Sequence, residues 1–374
     1  METAHHPILA DCRVMDNLPD KSIDLVVTSP PYPMIQMWDT IFSKFNSAVA
    51  THLKKGDGMA AFEAMHRVMD PVWEECFRVL KPGGFACINI GDATRTLKDK
   101  FALYTNHARL LNSAQAVGFS ALPCILWRKQ TNAPNKYMGS GMLPAGAYVT
   151  LEHEYILILR KGGKRLFKKE ADRTRRQESA LFWEERNLWF SDIWLDLKGS
   201  RQKLGQADRK RSGAFPFELA ARLINMYSLK GDRVLDPFLG TGTTMAAAMA
   251  LGRHSIGFEQ DPSLVPVIST LAGTAVPTGK DMVHQRLVRH LSFVLDRIKT
   301  RGPLKHKNRH YGFPVMTRQE TALLLNTPLD LTRSENPPYT VTYDPSPQDW
   351  FCRDWEKILN NPEAELMISS LGSD

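Results

Sequence analysis

The run Ile23-Asp24-Leu25-Val26-Val27 leads straight into Thr28-Ser29-Pro30-Pro31-Tyr32, and this junction constrains the fold more than any other stretch. A short, mostly aliphatic run predicts a strand buried in a parallel sheet, and two consecutive prolines stop it at its carboxyl end. Open α/β sheets bind their ligands at that end. Proline fixes φ and donates no N–H, so the carbonyls of this turn can accept hydrogen bonds from a ligand. Ser29 adds a hydroxyl and Tyr32 a ring face. Such a turn suits the amino group of a flat ring, although a lone Ser-Pro-Pro-Tyr is equally an ordinary strand exit.

A second constellation lies at Val234-Leu235-Asp236-Pro237-Phe238-Leu239-Gly240-Thr241-Gly242-Thr243-Thr244, followed by an Ala- and Met-rich stretch. It reads as a strand, a tight glycine turn and a helix whose first N–H groups are free. Two phosphate-loop readings fail: there is no Gly-Lys-Ser/Thr, and the third glycine of the dinucleotide fingerprint is missing. The next apolar strand, Ser255-Ile256-Gly257-Phe258, ends in Glu259. That places an acid roughly 20 residues beyond Asp236, the spacing at which a carboxylate meets a ribose diol. A nucleoside without phosphates fits better than a nucleotide.

In this order, the two motifs resemble those of the amino-group DNA methyltransferases that use S-adenosylmethionine, in the permuted class whose catalytic motif precedes its cofactor motif. The resemblance runs from Asp11 to about Asp261. Asp11, the Leu80-Lys81-Pro82-Gly83-Gly84 turn and Phe215-Pro216-Phe217-Glu218-Leu219 match as well. It implies an α/β, Rossmann-like sheet with direct methyl transfer and no metal. The implied catalytic residues are Ser29, Pro30, Pro31 and Tyr32, with Ser29 Oγ and the Pro30 carbonyl as acceptors for the amino group and Tyr32 stacking on a flipped base. For the cofactor, Glu259 would meet the ribose hydroxyls, Asp236 the methionine amino group and Asp11 the adenine amino group. Thr28, Pro237, Phe238, Gly240, Gly242 and Thr243 complete that set. Serine at the first motif position is similar to the cytosine-N4 subgroup. Adenine-N6 methylation is the alternative, with a protein-glutamine methyltransferase or a catalytically silent nucleic-acid-binding module more distant.

The chain has 374 residues, 43% hydrophobic and 24% charged, the balance of a globular protein with a large core. No run approaches the ~18 apolar residues of a membrane span, and the N-terminus lacks the basic start and apolar core of a signal peptide, so a cytoplasmic location is expected. Five cysteines without metal spacing read as buried thiols. Cys124 follows a proline, as a cytosine-carbon nucleophile would, but Ile125-Leu126-Trp127 continue a strand and the catalytic position is already filled.

A net charge of +8 permits a polyanionic partner. Lys164, Arg165, Lys168, Lys169, Arg173, Arg175 and Arg176 crowd one stretch, interleaved further on with Phe182, Trp183, Trp189, Phe190 and Trp194. The expected organisation is a catalytic half at 1–160, a target-recognition insert at 161–212 whose cations hold phosphates, a cofactor-binding half at 213–272 and a C-terminal extension at 273–374. The expected partners are double-stranded DNA and a cognate restriction endonuclease. Ala272 to Gly279 reads as a linker, and a second basic cluster beginning at Arg286 offers a rival DNA surface.

Overall fold

The computed structural model describes residues 1–129, 138–139, 142–199, 215–336, 338–353 and 355. Its centre is a ten-stranded sheet. The strands in chain order are β1 (Glu2–Leu9), β2 (Ile23–Thr28), β3 (Leu80–Ile90), β4 (Phe119–Arg128), β5 (His153–Lys161), β6 (Ile193–Trp194), β7 (Arg233–Asp236), β8 (His254–Glu259), β9 (Pro328–Arg333) and β10 (Tyr339–Tyr343). They lie side by side as β6-β4-β5-β3-β2-β7-β8-β1-β10-β9. The central five, β3-β2-β7-β8-β1, are parallel, so Thr28, Asp236 and Glu259 finish at one edge. β5 runs antiparallel between β3 and β4.

The expected α/β sheet is thus present, and β2 is buried at every residue. Its side chains divide between two cores. Ile23 and Val26 pack with Met65, Val72, Trp73 and Cys76 of helix α3 (Gly58–Val79), which follows α1 (Asp39–Phe45) and α2 (Ser47–Lys55). Leu25 and Val27 face the other layer, helices α7 (Phe217–Tyr227) and α8 (Thr243–Ala250). Among the described residues, the helices between α3 and α8 in the chain are α4 (Asn106–Val117), α5 (Glu170–Glu178), α6 (Trp183–Trp189) and α7.

Several elements differ from the sequence reading. Lys81-Pro82-Gly83-Gly84 is not a turn ahead of β3 but an irregular part of it, where the register with β2 shifts. Gly83 sits there at φ 84°. The expected linker is helical: α9 (Val265–Gly273) is followed by α10 (Ala275–Arg301). Pro277 falls in the first turn of α10, where a missing N–H removes no helical bond. Gly279 lets α10 approach α8, because a Cβ there would stand 3.0 Å from the Ala250 Cα. Both residues are helix-compatible for reasons of position and contact that composition hides.

Residues after 272 also complete the sheet, since β10 pairs with β1 and β9 with β10. They clamp the aromatic stretch of the expected insert. Phe182 is buried among Leu287, Leu291, Tyr311 and Phe313. Arg286, counted with the rival basic cluster, is buried and holds both Glu185 carboxylate oxygens at 2.5 and 2.7 Å. It therefore offers no charge to DNA. Residues 200–212 of the expected insert, with Arg201, Lys203, Arg209, Lys210 and Arg211, lie outside the described residues. Among the described residues, no helix is long and apolar enough to cross a membrane.

Candidate active site

The carboxyl ends of β2, β7 and β8 open into one cavity of about 1070 Å³. Ser29, Pro30, Pro31 and Tyr32 form one wall, and Asp236, Pro237, Phe238, Gly240, Thr243 and Glu259 form another. The sequence motifs, some 200 residues apart, meet because β2 pairs directly with β7. Aromatic and aliphatic side chains including Trp38, Phe42, Val72, Phe215 and Phe258 close the remainder. Of these, Phe215 belongs to a matched motif, while Trp38 and Phe42 come from a stretch whose structure the sequence did not specify.

Asp236 ends β7 with a buried carboxylate. Its Oδ1 accepts from Thr28 Oγ1 at 2.6 Å and from the Phe238 N–H at 3.0 Å. Thr28 itself is buried and lies behind Asp236 rather than on the cavity wall. Burial raises the Asp236 pKa to about 6, against the hydrogen bonds from Thr28, Thr244 and the Phe238 amide. Glu259 ends β8 and reaches back to the glycine turn. Its Oε2 accepts from the Gly240 N–H at 2.9 Å, and its Oε1 from the Gln260 and Asp261 N–H groups at 2.8 Å each. Burial pushes its pKa up too, opposed by those three amides. Gly240 and Gly242 hold left-handed φ values of 54° and 91°, and Gly242 caps α8. A Cβ at Gly240 would meet only the Phe238 carbonyl, at 3.8 Å, so this turn is open on the cavity side.

Asp11 follows β1 at the cavity rim, flanked by the lining residues Ala10 and Cys12. Its carboxylate is gripped by Arg13, through the backbone N–H at 2.9 Å and the guanidinium at 2.5 to 3.1 Å. Burial opposes its ionisation, but the Arg13 hydrogen bonds outweigh this and hold its pKa below the ordinary value.

The serine and tyrosine of the first motif are joined to residues that sequence reasoning missed. Ser29 Oγ donates to Tyr32 Oη at 3.0 Å, and Tyr32 Oη donates to Glu154 Oε2 at 3.1 Å. Asn89 Nδ2 donates to both, at 2.8 Å to Tyr32 and 2.7 Å to Glu154. Lys129 Nζ approaches the other Glu154 oxygen at 3.0 Å. The ring of Tyr32 is fixed as well, because Gly91 leaves space for it: a Cβ there would fall 2.9 Å from Cε2. Burial and the Glu154 charge push the Tyr32 phenol well above its usual pKa. Glu154 was legible as a strand residue, but its pairing across β3 with the Ser29-to-Tyr32 turn depends on the antiparallel placement of β5.

The basic stretch lies elsewhere. β5 descends antiparallel to β3, so residues after Lys161 emerge at the amino ends of the parallel strands, opposite the cavity. There Arg165 holds Asp232 at 2.6 and 2.9 Å and Asp24 at 3.4 Å, and Arg175 approaches Asp232 at 3.6 Å. Those two aspartates are buried beside the starts of β2 and β7, so these two arginines neutralise the fold's own carboxylates instead of standing free for phosphate. Lys164, Lys168, Lys169, Arg173 and Arg176 are exposed. With Arg160, Arg186, Arg309 and Arg318, three of them rim a separate groove of about 1600 Å³. Cys124 is half-buried at a register shift in β4 and does not line the cavity that holds Ser29 and Asp236.

A family model described as DNA methylase matches residues 23–270. The Type II methyltransferase M.MthZI of Methanothermobacter thermautotrophicus is 48% identical over 345 residues, 92% of this chain and 96% of the relative. The Type II methyltransferase M.MjaI of Methanocaldococcus jannaschii is 48% identical over 282 residues, 72% of this chain and 92% of that one. A solved Thermus thermophilus structure, described as a putative DNA modification methylase and complexed with S-adenosyl-L-methionine, is 31% identical and superposes with a TM-score of 0.57, covering 73% of this chain and 95% of its own.

Proposed function

The chain belongs to the DNA methylase family, and on that premise we propose that it transfers a methyl group from S-adenosylmethionine to the exocyclic amino group of a flipped cytosine in double-stranded DNA, giving N4-methylcytosine. The observation that carries this reading is the single cavity shared by the Ser29-to-Tyr32 turn and the Asp236-to-Glu259 carboxylates. S-adenosylmethionine supplies an electrophilic methyl group on a sulfonium. Its ammonium and ribose hydroxyls suit a buried carboxylate, a half-buried one and a glycine turn, where phosphates would be repelled. Asp236 would receive the ammonium and Glu259, oriented by three backbone amides, the ribose diol. Asp11, Phe238 and Thr243 would flank the adenine and methionine ends.

The amino nitrogen of cytosine is a poor nucleophile because its lone pair is delocalised into the ring. Ser29 Oγ, with its own proton directed at Tyr32, keeps lone pairs for an amino hydrogen, and the Pro30 carbonyl is a second acceptor. Two acceptors draw the hydrogens out of conjugation and leave the nitrogen lone pair exposed in a preorganised site. The base must leave the duplex to arrive there, and the anchored Tyr32 ring gives it a stacking face. What supports cytosine over adenine is the resemblance of Ser29 to the first motif residue of the cytosine-N4 subgroup. Digesting methylated DNA to nucleosides and weighing the product tests this: N6-methyladenine would overturn the cytosine assignment, and unmodified DNA the whole reading.

Ser29→Ala and Tyr32→Ala are expected to slow single-turnover methylation at least about tenfold while cofactor affinity stays unchanged, because an oriented acceptor or stacking partner contributes ~1 to 3 kcal/mol. Rates near wild type would remove both residues from the transfer step.

The exposed cations Lys164, Lys168, Lys169, Arg173 and Arg176 are proposed to contact phosphates. β2 separates them from the cavity by roughly 20 Å, so they would grip flanking DNA and not the flipped nucleotide. Neutralising three of them should reduce the salt slope of DNA affinity by about 0.9 per lost contact, with the saturated single-turnover rate preserved. An unaltered slope would move the phosphate contacts to another surface. The relatives' designation as Type II methyltransferases supports a further reading, that this protein protects DNA from a cognate restriction endonuclease.

A further inference from the structure

Methyl transfer to an amino nitrogen leaves a problem that the acceptors alone do not solve. The nitrogen gains a fourth bond and a positive charge, so one N–H proton must leave before the base can re-enter the duplex. The hydrogen-bond chain behind Ser29 leads away from the cavity and ends on a carboxylate that plays no part in holding the cofactor or the base.

We propose that Glu154 is the terminal proton acceptor of a relay running from Ser29 Oγ through Tyr32 Oη. The proposal rests on the amino-methylation reading above and holds for either base. The donor directions already suit it: Ser29 donates to Tyr32 at 3.0 Å, and Tyr32 donates to Glu154 Oε2 at 3.1 Å. The N–H bond of the methylated amino group breaks with its electron pair left on nitrogen, and that proton passes to Ser29 Oγ. Ser29 passes its own proton to Tyr32 Oη, and Tyr32 passes its own to Glu154. Both hydroxyls end as they began, and the carboxylate becomes a carboxylic acid that later releases its proton to solvent. Burial and the neighbouring charge disfavour a phenolate at Tyr32, so it acts as a conduit and not as a base in its own right.

The groups around Glu154 fit this role. Asn89, buried on β3, bridges Tyr32 and Glu154 and fixes both ends of the last link. Lys129, at the end of β4, occupies Oε1 and leaves Oε2 to the relay. On its own strand Glu154 is flanked by His153 and Tyr155, with the stacked His107 and its partner Asp92 beyond Tyr155. The Arg128–Glu152 pair lies further out. Among the described residues, Tyr32 and Lys129 are the titratable neighbours within its hydrogen-bonding reach.

The test is the pH profile of single-turnover methylation at saturating cofactor and DNA. The relay needs an anionic acceptor at its end, so the wild-type rate should fall on the acid side. Glu154→Gln should slow transfer about tenfold, below the usual range for a lost general base because solvent can take the proton instead, and should flatten the acid limb. Tyr32→Phe keeps the ring and breaks the relay at its middle, so it should show the same loss and the same flattening. The double variant should be no slower than either single one, and calorimetry should show unchanged cofactor affinity throughout. A slowed Glu154→Gln enzyme that keeps the wild-type acid limb, or single losses that multiply in the double variant, would overturn the relay while leaving amino methylation intact. A wild-type protein that methylates no DNA would overturn the reading on which the relay depends.

Discussion

Gly240→Val is expected to weaken S-adenosylmethionine binding at least about a hundredfold, a loss of ~2.7 kcal/mol, without unfolding the sheet. Two effects add. At φ 54° a β-branched residue is strained by roughly 1 to 2 kcal/mol, and relief of that strain would move the turn. The Gly240 N–H holds Glu259 Oε2 at 2.9 Å, so movement there loosens the carboxylate proposed to meet the ribose. The valine methyls would also project into open cavity, since only the Phe238 carbonyl lies near the Cβ position. The turn sits at the sheet edge, outside the packed β2–β7 core, so the fold should survive. Titration calorimetry on folded protein checks this, and unchanged affinity would exclude the glycine turn from cofactor binding.

What was legible in the sequence follows from where each constraint is written. β2 and the glycine turn are local events: an aliphatic run stopped by prolines, and a backbone that needs left-handed φ. Both were readable, and so was their meeting, because parallel strands deliver their carboxyl ends to one edge. β1 was not readable. Its buried His5 is satisfied by Thr3 Oγ1 and Ser255 Oγ, so a polar-looking run occupies an interior strand position. The partnership of Glu154 with Tyr32 was hidden for a different reason, since it depends on which strand lies beside β3. The basic stretch shows the converse error. Charge density alone suggested seven phosphate contacts, yet Arg165 and Arg175 answer buried Asp232, a demand visible only once the strand starts are placed.

Cofactor affinity should weaken as pH falls below about 6, by up to tenfold per unit, and Asp236→Asn should weaken it about a hundredfold at pH 7 while removing that slope. The sign follows from the direction of the shift. Burial raises the folded pKa of Asp236 to about 6 from 3.8, so the fold favours the protonated carboxyl. That stabilisation of the empty protein is complete below the unfolded value and disappears as pH rises through about 6, where the carboxylate must ionise in a buried site. An ammonium ligand makes the opposite demand, since it needs the anion. Binding therefore draws on an ionisation that the empty site resists, and affinity declines once the carboxyl is protonated. Glu259 is shifted the same way, so only the Asn substitution assigns the slope. Asparagine can still accept from Thr28 Oγ1 and the Phe238 N–H through its amide oxygen, and it removes a buried charge. The empty Asp236→Asn protein should accordingly melt no lower than wild type at pH 8, and higher if the buried charge is uncompensated. Calorimetry from pH 5 to 7 together with thermal denaturation at pH 8 reads both effects. Wild-type affinity that is flat across that range, or a slope that survives in Asp236→Asn, would remove Asp236 as the ammonium's partner.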